Sequence, residues 1–149
     1  MERVVIDSNV VVKWFIPEEH SERARHLRND HLLGCVEATA PQYAILEVYN
    51  ALRKYHARGL LDKVTLAKII DLLHKTRISL VNLENKTLDE ALEYSLANHV
   101  TVHDAYYIVL ARSLGTLFYT ADDKLLERLG AKEPLIRHLK HYRAQCSPP

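Results

Sequence analysis

With 149 residues, 48% of them hydrophobic, the chain is long enough to bury one core and too apolar to be a disordered segment. A formal net charge of only +1 excludes a global basic field, so any contact with nucleic acid must come from local patches. Asp7 and Lys13 interrupt the N-terminal apolar residues too early for a leader peptide, and no apolar stretch is long enough to span a bilayer, so a soluble cytoplasmic protein with no membrane contact is expected.

Val4-Val5-Ile6 is an unbroken β-branched run, the pattern of a strand buried on both faces. Asp7-Ser8-Asn9 suits a turn and helix cap ahead of the apolar residues 10–16, which Pro17 ends. Residues 18–29 read as a polar helix, and Glu37-Ala38-Thr39-Ala40 as a short strand before Pro41. Residues 42–58 carry a strong helical pattern, with Ile45, Val48, Tyr49 and Leu52 at helical spacing and Gly59 at the end. A second such helix runs from 62 or 63 to 76, followed by a short strand at 79–81. Residues 86–98 are helical with Leu88, Ala91, Leu92 and Ser95 on one face, and residues 102–114 are helical up to Gly115. Residues 116–120 form a strand rich in β-formers, 123–129 a short helix ending at Gly130, and 134–139 a last strand. One domain is expected over residues 1–140, with 141–149 as a flexible tail. Cys35 and Cys146 have neither a metal-binding spacing nor a disulfide framework and are expected to be free thiols. Strands alternating with helices predict a three-layer α/β/α domain with a mostly parallel central sheet.

Four acids stand out: Asp7 closes the first strand, Glu47 sits in an apolar part of the helix after Pro41, Asp104 opens another helix, and Asp122 follows the strand ending at Thr120. In open parallel sheets, sites form outside the carboxyl ends of the strands, so parallel, adjacent strands would bring all four to one edge. Acids are seldom buried without a partner, and a divalent cation is the natural counter-charge for four of them. Taken singly, each Asp has an ordinary explanation, because an Asp before a helix caps it and an acid in the first turn complements the dipole. Glu47, between Ile45, Leu46, Val48 and Tyr49, fits solvent less well.

Four segments occur in order: Val5-Ile6-Asp7-Ser8-Asn9; Pro41 with Glu47-Val48-Tyr49-Asn50-Ala51-Leu52; His103-Asp104-Ala105-Tyr106-Tyr107; and Tyr119-Thr120-Ala121-Asp122-Asp123-Lys124-Leu125. Together they resemble the PIN-domain nucleases, and especially the toxin half of VapBC-type toxin–antitoxin pairs, over residues 4 to about 125. The resemblance implies a PIN-like domain whose catalytic, metal-holding quartet is Asp7, Glu47, Asp104 and Asp122, with hydroxyl positions at Ser8 and Thr120. Asp123, beside Asp122, leaves that assignment open by one residue, and His103 stands where many relatives carry an aromatic residue. The resemblance also implies hydrolysis of single-stranded RNA to a 5′-phosphate and a 3′-hydroxyl, a homodimer, and a small antitoxin whose tail lies near the acids.

A carboxylate set suits Mg²⁺ or Mn²⁺ rather than zinc. Because Mg²⁺ keeps several waters and takes only one or two carboxylates directly, Asp7 and Asp104 are the expected direct ligands. Glu47 and Asp122 then orient water or a second ion for in-line attack on a phosphodiester. Ser8, Asn50 and Thr120 are expected to support the acids through hydrogen bonds. Lys13 and Arg53, with Lys54, Arg58, Arg112 and Lys124, are candidate phosphate contacts, although helix cations are more often merely solvated. Tyr106, Tyr107, Trp14 and Phe15 are expected to pack in the core rather than stack on bases. Residues 10–16 and the helices over 42–58 and 62–76 carry more apolar surface than a small domain is expected to cover, which favours an interface. The alternatives are a catalytically silent PIN module that binds RNA or a protein, and another Asp-based phosphoryl-transfer enzyme. A haloacid-dehalogenase-like phosphatase would need Asp where Asn9 stands, and a receiver domain's acidic pair and late Lys are not matched.

Overall fold

The computed structural model describes residues 1–146. Val4, Val5 and Ile6, branched at Cβ and without polar side-chain atoms, form the buried end of strand β1 (Glu2–Ile6). Then follow α1 (Ser8–Val12), α2 (Ser21–Leu33), β2 (Val36–Pro41), α3 (Tyr43–Ala57), α4 (Lys63–Thr76), β3 (Ser79–Val81), α5 (Asn85–Asn98), α6 (Val102–Leu114), β4 (Phe118–Thr120), α7 (Asp123–Leu129) and β5 (Ile136–His138). The five strands form one sheet in the order β3-β2-β1-β4-β5, parallel at every pairing. This is the expected three-layer α/β/α arrangement, with the sheet wholly parallel.

The topology positions the site. Strand β1 is central, pairing with β2 (Val5↔Thr39) on one side and β4 (Ile6↔Tyr119) on the other. The chain winds outward in one direction through β2 and β3 and in the other through β4 and β5. The β1/β4 boundary is therefore a topological switch point, where a crevice opens at the carboxyl ends of the strands. Helix α6 is buried continuously from Ala105 to Ala111, because it packs on α5 with one face and on β1 and β2 with the other.

Three expectations are corrected. The apolar stretch after Asp7 is core rather than interface: Val10, Val11, Val12, Trp14 and Ile16 are all buried, and the helix they begin stops at Val12. The segment from residue 141 to 146 is docked rather than flexible. Asp30, fully buried on α2, accepts hydrogen bonds from the Tyr142 hydroxyl (2.6 Å) and from the backbone N–H groups of Gln145 (2.6 Å) and Cys146 (3.1 Å). The buried Tyr142 ring also meets Tyr119 edge-on at 5.3 Å. Cys35 and Cys146 are joined by a disulfide, with Cα atoms 5.8 Å apart, and are not free thiols. Their separation of 111 residues hides the pairing from local sequence patterns. The remaining tail positions, 147–149, lie outside the described residues. Among the described residues no helix is long and apolar enough to cross a membrane.

Closing a loop of 111 residues restricts the unfolded chain strongly. The Cys35→Ser/Cys146→Ser double variant should therefore lose about 2–5 kcal/mol of stability. Denaturant titrations of the oxidised protein, the reduced protein and the variant check this, and the last two should coincide.

Candidate active site

Asp7 occupies the N-cap position of α1 but makes no capping hydrogen bond, so its ordinary explanation fails. Its carboxylate is turned to the switch point instead. Oδ2 accepts the Thr120 hydroxyl at 2.8 Å, and Oδ1 accepts the Ser8 hydroxyl at 3.2 Å. Thr120 Oγ1 also accepts the Asp122 backbone N–H (3.0 Å) and the Asn9 side-chain amide (3.3 Å), which fills its hydrogen-bonding capacity. Asn9 Oδ1 accepts the Ala121 N–H at 3.2 Å. The ends of β1 and β4 are thus stitched together around the Asp7 carboxylate.

The other three acids reach the crevice from separate helices. Glu47 is half-buried on α3, and its Oε1 accepts the Tyr107 hydroxyl at 2.9 Å. The Tyr107 oxygen in turn accepts the Ser8 backbone N–H at 3.3 Å. Asp104 lies in the first turn of α6, where Thr101 supplies the cap through the Asp104 N–H at 3.1 Å, so the Asp104 side chain is not needed there. Asp122 does cap α7, accepting the Leu125 N–H at 3.1 Å. Its ordinary role is real, yet its charge also acts on Asp104. Asp123 is exposed and pairs with His138 at 3.1 Å, whereas the charge of Asp122 acts on Asp104.

Electrostatics ties the quartet together. Burial, with smaller contributions from the nearby charges of Glu47 and Asp104, pushes the Asp7 carboxyl up to about 7 against the opposing Thr120 hydrogen bond. Burial raises Glu47, with the Tyr107 hydrogen bond opposing. Burial also raises Asp104, and the charge of Asp122 adds to it. Among the described residues, no Lys, Arg or His forms an ion pair with any of the four acids.

Also among the described residues, no three His, Cys, Asp or Glu side chains converge closely enough to hold one ion by themselves. The donor set still fits Mg²⁺ or Mn²⁺. Its donors are all oxygen, Asp7 is buried with hydroxyl partners and no cation, and Mg²⁺ needs only one or two protein carboxylates beside water.

The remaining expected residues divide. Ser8 and Thr120 touch Asp7, whereas Asn50 is exposed on α3 and makes no hydrogen bond to the acids. Lys13 is buried and pairs with Glu18 at 3.4 Å, beside a hollow of about 220 Å³ that Ser8, Asn9 and Tyr55 also line. Arg53 is exposed, six residues beyond Glu47 and so turned about 120° from it around the helix. Lys54, seven residues beyond Glu47, is exposed on the same side of α3, and Arg58 is exposed just past the end of that helix. Lys124 is also exposed. Arg112 is engaged elsewhere, with Glu133 at 3.2 Å and over the Tyr94 ring at 5.7 Å. Two participants escaped sequence reasoning, Asn9 and Tyr107. Tyr107 did carry a signal: three residues after Asp104, it lies on the same face of α6.

The Asp7 shift has a definite sign. A carboxyl whose folded pKa is raised contributes full stability below its unfolded value near 3.8 and loses it as pH rises toward about 7. In chelator, Asp7→Asn should match wild type near pH 4 and exceed it at neutral pH by up to about 4 kcal/mol, at about 1.36 kcal/mol per pH unit. Thermal melts across that range check the prediction. Added Mg²⁺ should stabilise the wild type more than the variant.

The chain matches the PIN domain over residues 4–132. It is 30% identical over 130 residues to Ribonuclease VapC3 of Pyrobaculum aerophilum, covering 87% of this chain and 96% of that protein. Its fold is similar to the crystal structure of PAE2754 from Pyrobaculum aerophilum, with a TM-score of 0.67, 19% identity, and coverage of 93% of this chain and 85% of that one. A toxin–antitoxin complex from Klebsiella pneumoniae is similar at a TM-score of 0.64 and 14% identity, with coverage of 91% of this chain and 97% of that one. With its parallel sheet and a match over most of its length, the chain belongs to the PIN domain family.

Proposed function

We propose that this PIN domain is a Mg²⁺- or Mn²⁺-dependent endoribonuclease that cleaves single-stranded RNA, and that it is the toxin of a toxin–antitoxin pair acting in the cytoplasm. The observation that carries this reading is the four-acid crevice with no cationic side chain paired to it. The name of the Pyrobaculum relative, a ribonuclease, supports the reaction class. Asp7 and Asp104 would hold the cation, with Glu47 and Asp122 acting through water. When bound, the cation supplies Lewis-acid activation of water and neutralises charge developing on the phosphate.

The chain's own groups prepare that chemistry. Thr120 and Ser8 each donate to one Asp7 oxygen, which fixes the carboxylate plane. The Tyr107 hydrogen bond favours the charged form of Glu47 despite its burial. Lys54, on the Glu47 side of α3, suits backbone phosphates better than Arg53 does, and Lys13 would have to leave Glu18 to do so. The spread of the acids gives a second reading its motive: a silent PIN module that binds RNA or a protein without turnover.

The partners follow from surface and kinship. Leu46 (74% exposed), Tyr49 and Leu80 surround a hollow of about 420 Å³ on the α3/β3 side, an apolar face that suits a homodimer. The Klebsiella structure is a toxin–antitoxin complex, which supports a small antitoxin as the inhibitory partner.

Purified protein with single-stranded RNA should cleave in Mg²⁺ or Mn²⁺ and stop in chelator. Asp7→Asn and Asp104→Asn should each abolish cleavage while circular dichroism stays native. Equal cleavage with and without chelator would defeat the mechanism, and intact RNA throughout would favour the silent module. Light scattering over a range of concentrations should show a dimer. A co-expressed neighbouring small protein should both bind and inhibit; a strict monomer, or a neighbour that does neither, would refute the corresponding partner.

A further inference from the structure

We infer that Tyr107 is a positioning residue, whose hydroxyl sets where the Glu47 carboxylate stands relative to Asp7; this rests on the nuclease reading above. The phenol takes both hydrogen-bonding roles at once, accepting the Ser8 N–H at 3.3 Å and donating to Glu47 Oε1 at 2.9 Å. Ser8 follows Asp7 directly in the chain and also bonds its carboxylate. A single oxygen thus connects the β1–α1 turn, which carries one acid, to α3, which carries another.

The ring is held as firmly as the hydroxyl is placed. Tyr107 is 1% exposed, stacked on Phe118 of β4 with centroids 4.9 Å apart and planes 8° from parallel. Tyr43 meets its edge at 5.6 Å. Such a ring has little freedom to swing, so the direction of its O–H is decided by the core rather than by solvent. Tyr43 cannot take over the task, because its own hydroxyl donates to the His103 carbonyl at 2.6 Å. Glu47 accepts no other side-chain hydrogen bond among the described residues, and its Oε2 stays available for water or a cation. Loss of one phenolic oxygen would leave Glu47 free to sample rotamers that point away from Asp7.

Tyr107→Phe tests this in the full chain, since it keeps the ring and its stack on Phe118 and removes only the hydroxyl. With single-stranded RNA and Mn²⁺, kcat should fall by about tenfold or more while KM stays within about twofold, the mark of an interaction that matters in the transition state. Wild-type kcat in the variant, or a rise confined to KM, would overturn the proposal. A second measurement does not depend on turnover: melting temperatures in chelator for Tyr107→Phe, Glu47→Ala and the double variant. The shift of the double variant should differ clearly from the sum of the two single shifts, because both single changes remove the one Tyr107–Glu47 hydrogen bond. Additive losses would overturn the pairing. Wild-type protein that cleaves no RNA would sink the nuclease reading alone, and the melting cycle would still decide whether Tyr107 and Glu47 act together.

Discussion

The structure turns on a carboxylate held out of water with no opposite charge beside it. Asp7 follows the central strand, where burial raises the cost of its ionisation, and hydrogen bonds, that of the Thr120 hydroxyl foremost, oppose that cost. The arrangement around it follows from this constraint. Thr120 spends its proton on Asp7 and its lone pairs on Asn9 and Asp122, so one side chain joins the ends of two strands and the start of α7. The charges of Glu47 and Asp104 add to the cost of ionising Asp7.

Asp30 provides the internal contrast. It is as deeply buried as Asp7, but three donors meet it, two of them backbone N–H groups of the C-terminal segment. One aspartate therefore closes the molecule, and the other leaves it electrostatically incomplete. Satisfied buried acids build structure, while unsatisfied ones at the mouth of a crevice are where binding energy can be recovered from a ligand. The tail latch and its disulfide hold residues 142–146 against α2 and β4, the strand that bears Thr120.

The parallel sheet explains how residues so far apart in sequence share one edge. Strand ends point the same way, so Asp7 and Asp122 leave the sheet on the same side, and α6 delivers Asp104 from the layer above. Because α6 is buried on both faces, it also carries Tyr107 inward to meet Glu47, which arrives on α3. Each acid comes from a different element, which separates the charges until the tertiary fold assembles them.

Much of this was legible in the residues. β-branched runs, helical spacing and terminal glycines located the strands and helices to within a few residues, because these signals are local and each element satisfies its own backbone. The order of acids relative to strand ends pointed to one edge of an α/β sheet. The roles of Asp7 and Asp122 did not follow from local pattern, since both stand where a cap is expected and only one of them caps. Tyr107 looked like core and is core, yet its one polar atom reaches Glu47 on another helix, a contact set by packing across 60 residues. The apolar stretch after Asp7 suggested an interface because hydrophobicity does not say what covers it, and the sheet and helices do. The cysteine pair and the docked tail depend on a meeting of residues 111 apart, to which no short-range pattern responds. What the sequence determined by itself was the order and approximate bounds of the strands and α-helices, because those depend on neighbours a few residues away. What the tertiary structure alone decided was which polar groups meet, because burial and hydrogen bonding belong to pairs brought together only by the fold.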